Sequence, residues 1–259
     1  MSSWKGSCYD ESDSGVFRWV LLTIFLLVVS FFAFIWYAQN WQIKDIDINN
    51  LPQFIQADFI DLDRIYSISN YRSGIGHDAS ANGETCRSMR HYFRGQSGDE
   101  IYKEKGYDPN MAISIFSPVD GRVLGISGDT SSGKGQQINI KPNNASGFNV
   151  RIDNVFIDKG IHFFSKLKAG QKIGGSMEVG EITISYNRIF DPMQFSYFSV
   201  MPDNIFVKYQ ARGIKNREEL IITKTYRDAH PLQCEDTSER NFIPSAETDS
   251  NYSFVLLSG

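Results

Sequence analysis

Two of the chain's four histidines, His77 and His91, fall in one polar, glycine-punctuated stretch together with Asp78, Glu84 and Cys86. Nitrogen, oxygen and sulfur donors in such a mixture suit zinc. His162, further along, is another imidazole that a fold could bring to them. A hydrolytic zinc site needs three protein ligands and an open position where a bound water is activated. The candidate set for that chemistry is His77, Asp78, His91 and His162. The same residues have plainer uses: Asp78 and Glu84 can cap turns, and His91 can pack. Cys86 and His91 would make a nucleophile and base, but no third residue stands ready to orient the base. Gly133-Lys134-Gly135 echoes a phosphate loop. The following Gln136–Ile140 reads as a strand, so the helix N-terminus that would hold phosphate is missing.

The cysteines divide about an apolar segment. Cys8 precedes it and Cys86 and Cys234 follow it. If the following part lies outside the cytoplasm, these two form an even pair in an oxidising compartment, and a Cys86–Cys234 disulfide is expected. Two separate thiols are the alternative.

The apolar segment itself runs from Trp19 to Ala38, WVLLTIFLLVVSFFAFIWYA, without a charge. Its 20 residues at about 1.5 Å rise match a hydrocarbon core of roughly 30 Å. Trp19 stands at one end and Trp36, Tyr37 and Trp41 at the other, as bilayer interfaces favour. A cleaved signal would have a shorter apolar run and a small-x-small site, but bulky Trp36 stands two residues before Ala38. The expectation is therefore an uncleaved anchor. Lys5 and Arg18 before it, against Lys44 after it, place the N-terminus in the cytoplasm.

Around the candidate donors, the chain reads as a β body. Aromatics at 14% and 21 glycines favour strands joined by tight turns, and the net charge of −4 leaves no basic excess for nucleic acid. AISIFSPVDGRVLGISGD predicts two strands about an Asp-Gly hairpin turn. QQINIKP, FNVRIDNVFID and EITISYNRIF alternate apolar and polar residues, and FSYFSV and NIFVKYQARG read as further strands. IKDIDIN suggests a strand, and QFIQADFIDLDRIY has an imperfect helical pattern. Tyr92, Phe93, Phe163, Phe164, Tyr197 and Phe198 could stack on sugars, although aromatics at such spacing usually build a core. The expected division is 1–18 a short cytoplasmic tail, 19–38 the transmembrane helix, 39–69 a juxtamembrane segment, 70–235 the β domain and 236–259 a tail.

Three pieces in order, Ser117-Pro118-Val119-Asp120-Gly121-Arg122-Val123, Gly135-Gln136-Gln137-Ile138-Asn139-Ile140 and Lys168-Ala169-Gly170-Gln171-Lys172-Ile173-Gly174, resemble the core of the LytM/M23 (lysostaphin-type) peptidase domain over about 112–186. They are similar, too, to the wider duplicated-hybrid-motif group, including lipoyl-like domains. Arg72-Ser73-Gly74-Ile75-Gly76 is similar to the opening strand of such domains. The block from Arg72 through His77-Asp78, Glu84 and Cys86-Arg87-Ser88-Met89 to His91-Tyr92-Phe93 resembles an uncharacterised bacterial membrane-anchored family.

The resemblance implies a mostly β fold, a compact β-sandwich or barrel, with positive φ at the glycines of the 168–174 turn. It also implies a zinc site built from a His, an Asp four residues on, and a late His-x-His strand. Here Ala81 and Gly95 stand four residues after His77 and His91, and 182–186 has no histidine. The site is thus degenerate, and the expectation is a non-catalytic domain without a cofactor. Such a domain would bind cell-wall peptidoglycan or another envelope protein from the periplasmic side of a bacterial inner membrane. The alternatives are a working zinc metallopeptidase on peptidoglycan peptides with a rearranged site, and a lipoyl-like adaptor of a membrane or export complex.

Overall fold

The computed structural model describes residues 13–42, 46–95, 108, 110–130, 133, 135–177, 179–187, 193–234 and 254–258. Contacts divide the chain into two units, Met1–Ile46 and Asp47–Gly259.

The first unit is helix α1, Asp13–Gln42. Within it Phe17–Trp36 is long and apolar enough to cross a membrane, and none of that span is buried. An anchor and a signal sequence share this length and composition. The helix begins at Asp13, so the last residues of the expected tail are helical. Cys8 lies outside the described residues.

The second unit is an antiparallel β body. Its strands are β1 (Ile65–Ser69), β2 (His91–Gly95), β3 (Ile113–Phe116), β4 (Gly121–Ser127), β5 (Gln136–Pro142), β6 (Phe148–Ile157), β7 (Lys166–Leu167), β8 (Lys172–Ser176), β9 (Val179–Tyr186), β10 (Met193–Phe195) and β11 (Phe254–Leu256). The spatial order is β11-β1-β2-β9-β6-β5-β4-β7, with β10 beside β9 and a smaller β3–β8 pair joined to the far half of β6. Thus the expected mostly β fold behind an N-terminal apolar helix is what the structure contains.

Alternation decides which face is which. His91, Phe93, Val123, Ile138, Ile140, Val150, Ile152, Ile182 and Ile184 are fully buried on one face. Phe59 meets Phe93 edge-on at 4.8 Å, and Phe198 meets the His91 ring at 4.9 Å. The residues between them, Arg90, Tyr92, Arg94, Arg151, Asp153, Glu181 and Thr183, form the polar face. On that face Arg94 is exposed, whereas Tyr92, Glu181 and Thr183 are buried.

Several local expectations are corrected. β3 does not form a hairpin with β4; it pairs with β8, while β4 pairs with β5 and β7. Asp120-Gly121 therefore turns a corner between sheets. Asp203–Ala211 is helix α2, not a strand: Ile205, Phe206 and Tyr209 are buried at helical spacing while Val207 is 52% exposed. Tyr197–Val200 is a 3-10 turn. Residues 46–50 make a turn rather than a strand, and 53–60 run without helix. That run packs into the body through buried Phe54, Ile55, Phe59 and Ile60. Helix α3, Lys224–Ala229, follows α2. Arg72–Gly76 is loop, with Arg72 at φ 66, rather than a strand. In the 168–174 turn Gly170 has φ 77, but Gly174 is required for another reason: a Cβ there would stand 2.3 Å from Phe156 O. The expected loose tail is tied at its end, where β11 pairs with β1; residues 235–253 lie outside the described residues.

Candidate binding cleft

A cleft of about 380 Å³ opens on the polar face, between the 70–90 loop and strands β2, β6, β8 and β9. His77, Tyr92, Arg94, Asn154 and Glu181 supply its polar lining. The loop is held against the sheet by the Tyr92 hydroxyl, which accepts from the His77 backbone N–H at 3.3 Å. Gly76 makes this approach, at φ 76; a Cβ there would lie 2.2 Å from the Tyr92 oxygen. Any side chain at this position would push the loop off the strand.

The charges in the cleft are paired. Glu181 forms an ion pair with Arg90 at 2.7 Å and accepts from Asn154 Nδ2 at 2.9 Å. Asn154, at φ 62, marks the point where β6 leaves β9 for β8, which turns its amide toward Glu181. Asp153 stands opposite Glu181 and pairs with Arg151 at 3.0 Å. Burial pushes the Asp153 carboxyl above its usual range, with Arg151 opposing and Glu181 adding to the rise. Burial likewise raises the Tyr92 phenol, helped by the Glu181 charge. Both Glu181 oxygens are thus engaged within the body. Arg94 is the exposed charge of the cleft, its guanidinium lying 3.8 Å over the Phe254 ring.

The expected metal candidates do not meet. His91 is fully buried, with Nδ1 2.8 Å from Ser69 O and Nε2 2.8 Å from Ser196 Oγ. A carbonyl can only accept, so Nδ1 carries the proton and Nε2 accepts from the Ser196 hydroxyl. No lone pair remains for a metal. Asp78 is committed to its own loop, bonded to the Ser80 hydroxyl and to the Arg87 N–H. His162 is exposed in a turn, where its Nδ1 lies 3.0 Å from Phe163 O. His77 alone of the four lines the cleft. Among the described residues no three His, Cys, Asp or Glu side chains gather as a metal would need. The donor set implied by the peptidase resemblance does not fit zinc.

Cys86 and Cys234 are joined by a disulfide, their Cα atoms 5.7 Å apart across a separation of 148 residues. Glu84, also named as a candidate donor, instead clamps two arginines of the loop, Arg72 and Arg87. Of the aromatics considered for sugar stacking, Tyr92, Phe93, Tyr197 and Phe198 are buried, while Phe163 and Phe164 are exposed. Three of the cleft's residues, Arg94, Asn154 and Glu181, are not among the candidates that the sequence offers. Their signal was there: in RHYFR and EITIS the charged and hydroxyl positions fall on one face and the apolar ones on the other.

The buried imidazole has a consequence for stability. Burial depresses the His91 pKa from its ordinary 6.5 to about 4. Between those values the unfolded chain binds a proton that the folded body refuses. Stability is therefore expected to fall as pH drops from about 6.5 toward 4, with His91 contributing up to about 3 kcal/mol. An NMR titration of the His91 ring protons checks this: no protonation shift is expected until pH nears 4, whereas a midpoint near 6.5 would show a solvated ring.

No family model matches the chain, and no curated protein matches it. Solved structures that resemble the chain do so at low identity and low TM-score. Helicobacter pylori Csd3 in its hexagonal crystal matches with a TM-score of 0.37 and 16% identity over 80% of this chain and 46% of that one. The orthorhombic crystal of Csd3 gives 0.38 and 17% over 80% and 47%. The solution structure of lysostaphin gives 0.29 and 16% over 45% and 44%. The chain spans about half the length of the solved structures it matches.

Proposed function

We propose that this chain is an anchored envelope protein whose β body binds cell-wall material, or an envelope partner, through the cleft at His77, Arg94 and Glu181, and that it does so without zinc-dependent hydrolysis. The observation that carries the reading is the state of the groups a hydrolase would need. Both His91 nitrogens are hydrogen-bonded inside the core, and Glu181 is held by Arg90 and Asn154. What is left open to solvent, His77 and Arg94 beside a neutralised carboxylate, suits recognition of a peptide or glycopeptide carrying a carboxylate. The uncharged helix with aromatic ends supports retention in the bacterial inner membrane through residues 19–38. The Cys86–Cys234 disulfide supports a periplasmic body with the N-terminus in the cytoplasm.

The test is co-sedimentation of the detergent-solubilised full chain with purified peptidoglycan sacculi. Binding is expected, unchanged by a chelator, and reduced about tenfold in a His77→Ala/Arg94→Ala variant, as for loss of about 1.4 kcal/mol. Absence of binding to sacculi would remove the cell-wall reading and leave the envelope partner. Equal binding by the variant would move the site away from this cleft.

A further inference from the structure

At the other end of the sheet three cations stand side by side. Arg122 of β4 lies directly opposite Lys141 of β5 on one flank and Lys166 of β7 on the other. Directly opposed residues share a face, and like charges so placed repel. All three are exposed. Among the described residues none of them is in an ion pair, whereas neighbouring Lys168 pairs with Asp120 at 3.3 Å. A hollow of about 230 Å³ lies among Arg122, Lys166, Lys168, Asn143 and the Gly121–Leu167 backbone. Its lining holds cations and an amide and no carboxylate.

Two aromatic rings border this row. Phe163 and Phe164 are 53% and 54% exposed, with ring centroids 3.9 Å apart, and on β4 Leu124 is 38% exposed. Phe164 sits at φ 66, a conformation that a bulky side chain adopts only when its surroundings impose it. Here they do. Phe164 N–H donates to Val123 O at 2.9 Å, Ser165 N–H to His162 O at 3.0 Å, and Arg122 to Phe164 O at 3.4 Å. The turn is thus pinned with both rings in solvent next to unneutralised cations.

We propose that this end of the body is a docking surface for an anionic phospholipid bilayer. Phe163 and Phe164 enter the headgroup region, where aromatic rings are favoured, and Arg122, Lys141 and Lys166 meet lipid phosphates. Charge complementarity selects this occupant: a free phosphate would use the hollow but leave the rings in water, whereas a lipid surface uses both. On the proposed reading of the helix as an anchor, a bilayer is a surface that the chain meets.

The experiment places the full chain in neutral phosphatidylcholine nanodiscs and sediments it with vesicles. Pelleting is expected with vesicles containing phosphatidylglycerol and not with phosphatidylcholine alone. Arg122→Ala/Lys166→Ala should weaken it about fivefold for each cation removed. Phe163→Ser/Phe164→Ser should weaken it as well, and both variants should keep the parent's circular dichroism because the replaced side chains are exposed. Equal pelleting with neutral vesicles overturns the proposal, as does indifference to either variant. Displacement by inorganic phosphate but not by chloride at the same ionic strength overturns it too, and assigns the hollow to a small anion.

Discussion

Replacing Glu84 by alanine is expected to lower the unfolding free energy of the body by about 3–5 kcal/mol, the usual consequence of deleting one member of a buried charge cluster. Glu84 is only 2% exposed at its side chain and holds two guanidinium groups. Arg72 grips it with two bonds, Nε at 2.7 Å and Nη2 at 2.8 Å, and Arg87 Nη1 adds a third at 2.7 Å. Without the carboxylate, two cations remain side by side with most of their hydration already removed. The loop they hold is the one that brings His77 to the cleft. Arg72 also presents its carbonyl to the buried Arg227 at 2.9 Å, so the loss spreads to helix α3. Asp228 touches Arg87 as well, at 2.9 Å, but is exposed; Asp228→Ala should leave the unfolding midpoint almost unchanged. Urea unfolding of the two variants makes the comparison. Equal, small effects would mean that the arginines are solvated and the cluster is not structural.

Reducing the Cys86–Cys234 disulfide is expected to destabilise the body by about 2–5 kcal/mol, since a bridge over a loop this long removes much freedom from the unfolded chain. The thermal midpoint should fall by about 5–15 °C. A Cys8→Ser background keeps the remaining thiol from confusing the measurement. The bridge ties the 70–90 loop to the segment after α3, and Arg87–Asp228 and Arg227–Arg72 tie the same loop to α3 itself. Loss of the bridge and loss of Glu84 therefore loosen the same structure. Their combination should cost less than the sum of the two, because neighbouring effects are not additive. An unchanged midpoint in reductant would show that the two cysteines do not close this loop.

Strands were legible where the alternation was strict. Ile138 and Ile140, Val150 and Ile152, and Ile182 and Ile184 all lie on the buried face that their spacing implies. Partners were not legible, because pairing is a long-range choice. Asp120-Gly121 carries the local signature of a hairpin, yet β3 finds β8 across more than fifty intervening residues. Helix α2 was misread because Ile205-Phe206-Val207 satisfies both periods, and only the 52% exposure of Val207 separates them. For the site, the sequence displayed donor types but not their commitments. His91 shares the face of Phe93, two residues away, which marks it for the core. What seals it is Ser196, 105 residues distant and invisible to local reading. The cleft residues were hidden by the opposite bias: arginine, asparagine and glutamate in strands read as ordinary solvated positions until the loop at Gly76 is seen to make a cleft with them.

Metal content and hydrolysis, measured together on the full chain purified from membranes without chelator, test the central claim most directly. Far less than one zinc per chain is expected, with no cleavage of peptidoglycan peptides that a chelator abolishes. One tightly held zinc per chain, with chelator-sensitive cleavage lost in a His77→Ala variant, would contradict it. That result would mean that the cleft, with His77 among its ligands, is a rearranged active site rather than a binding site.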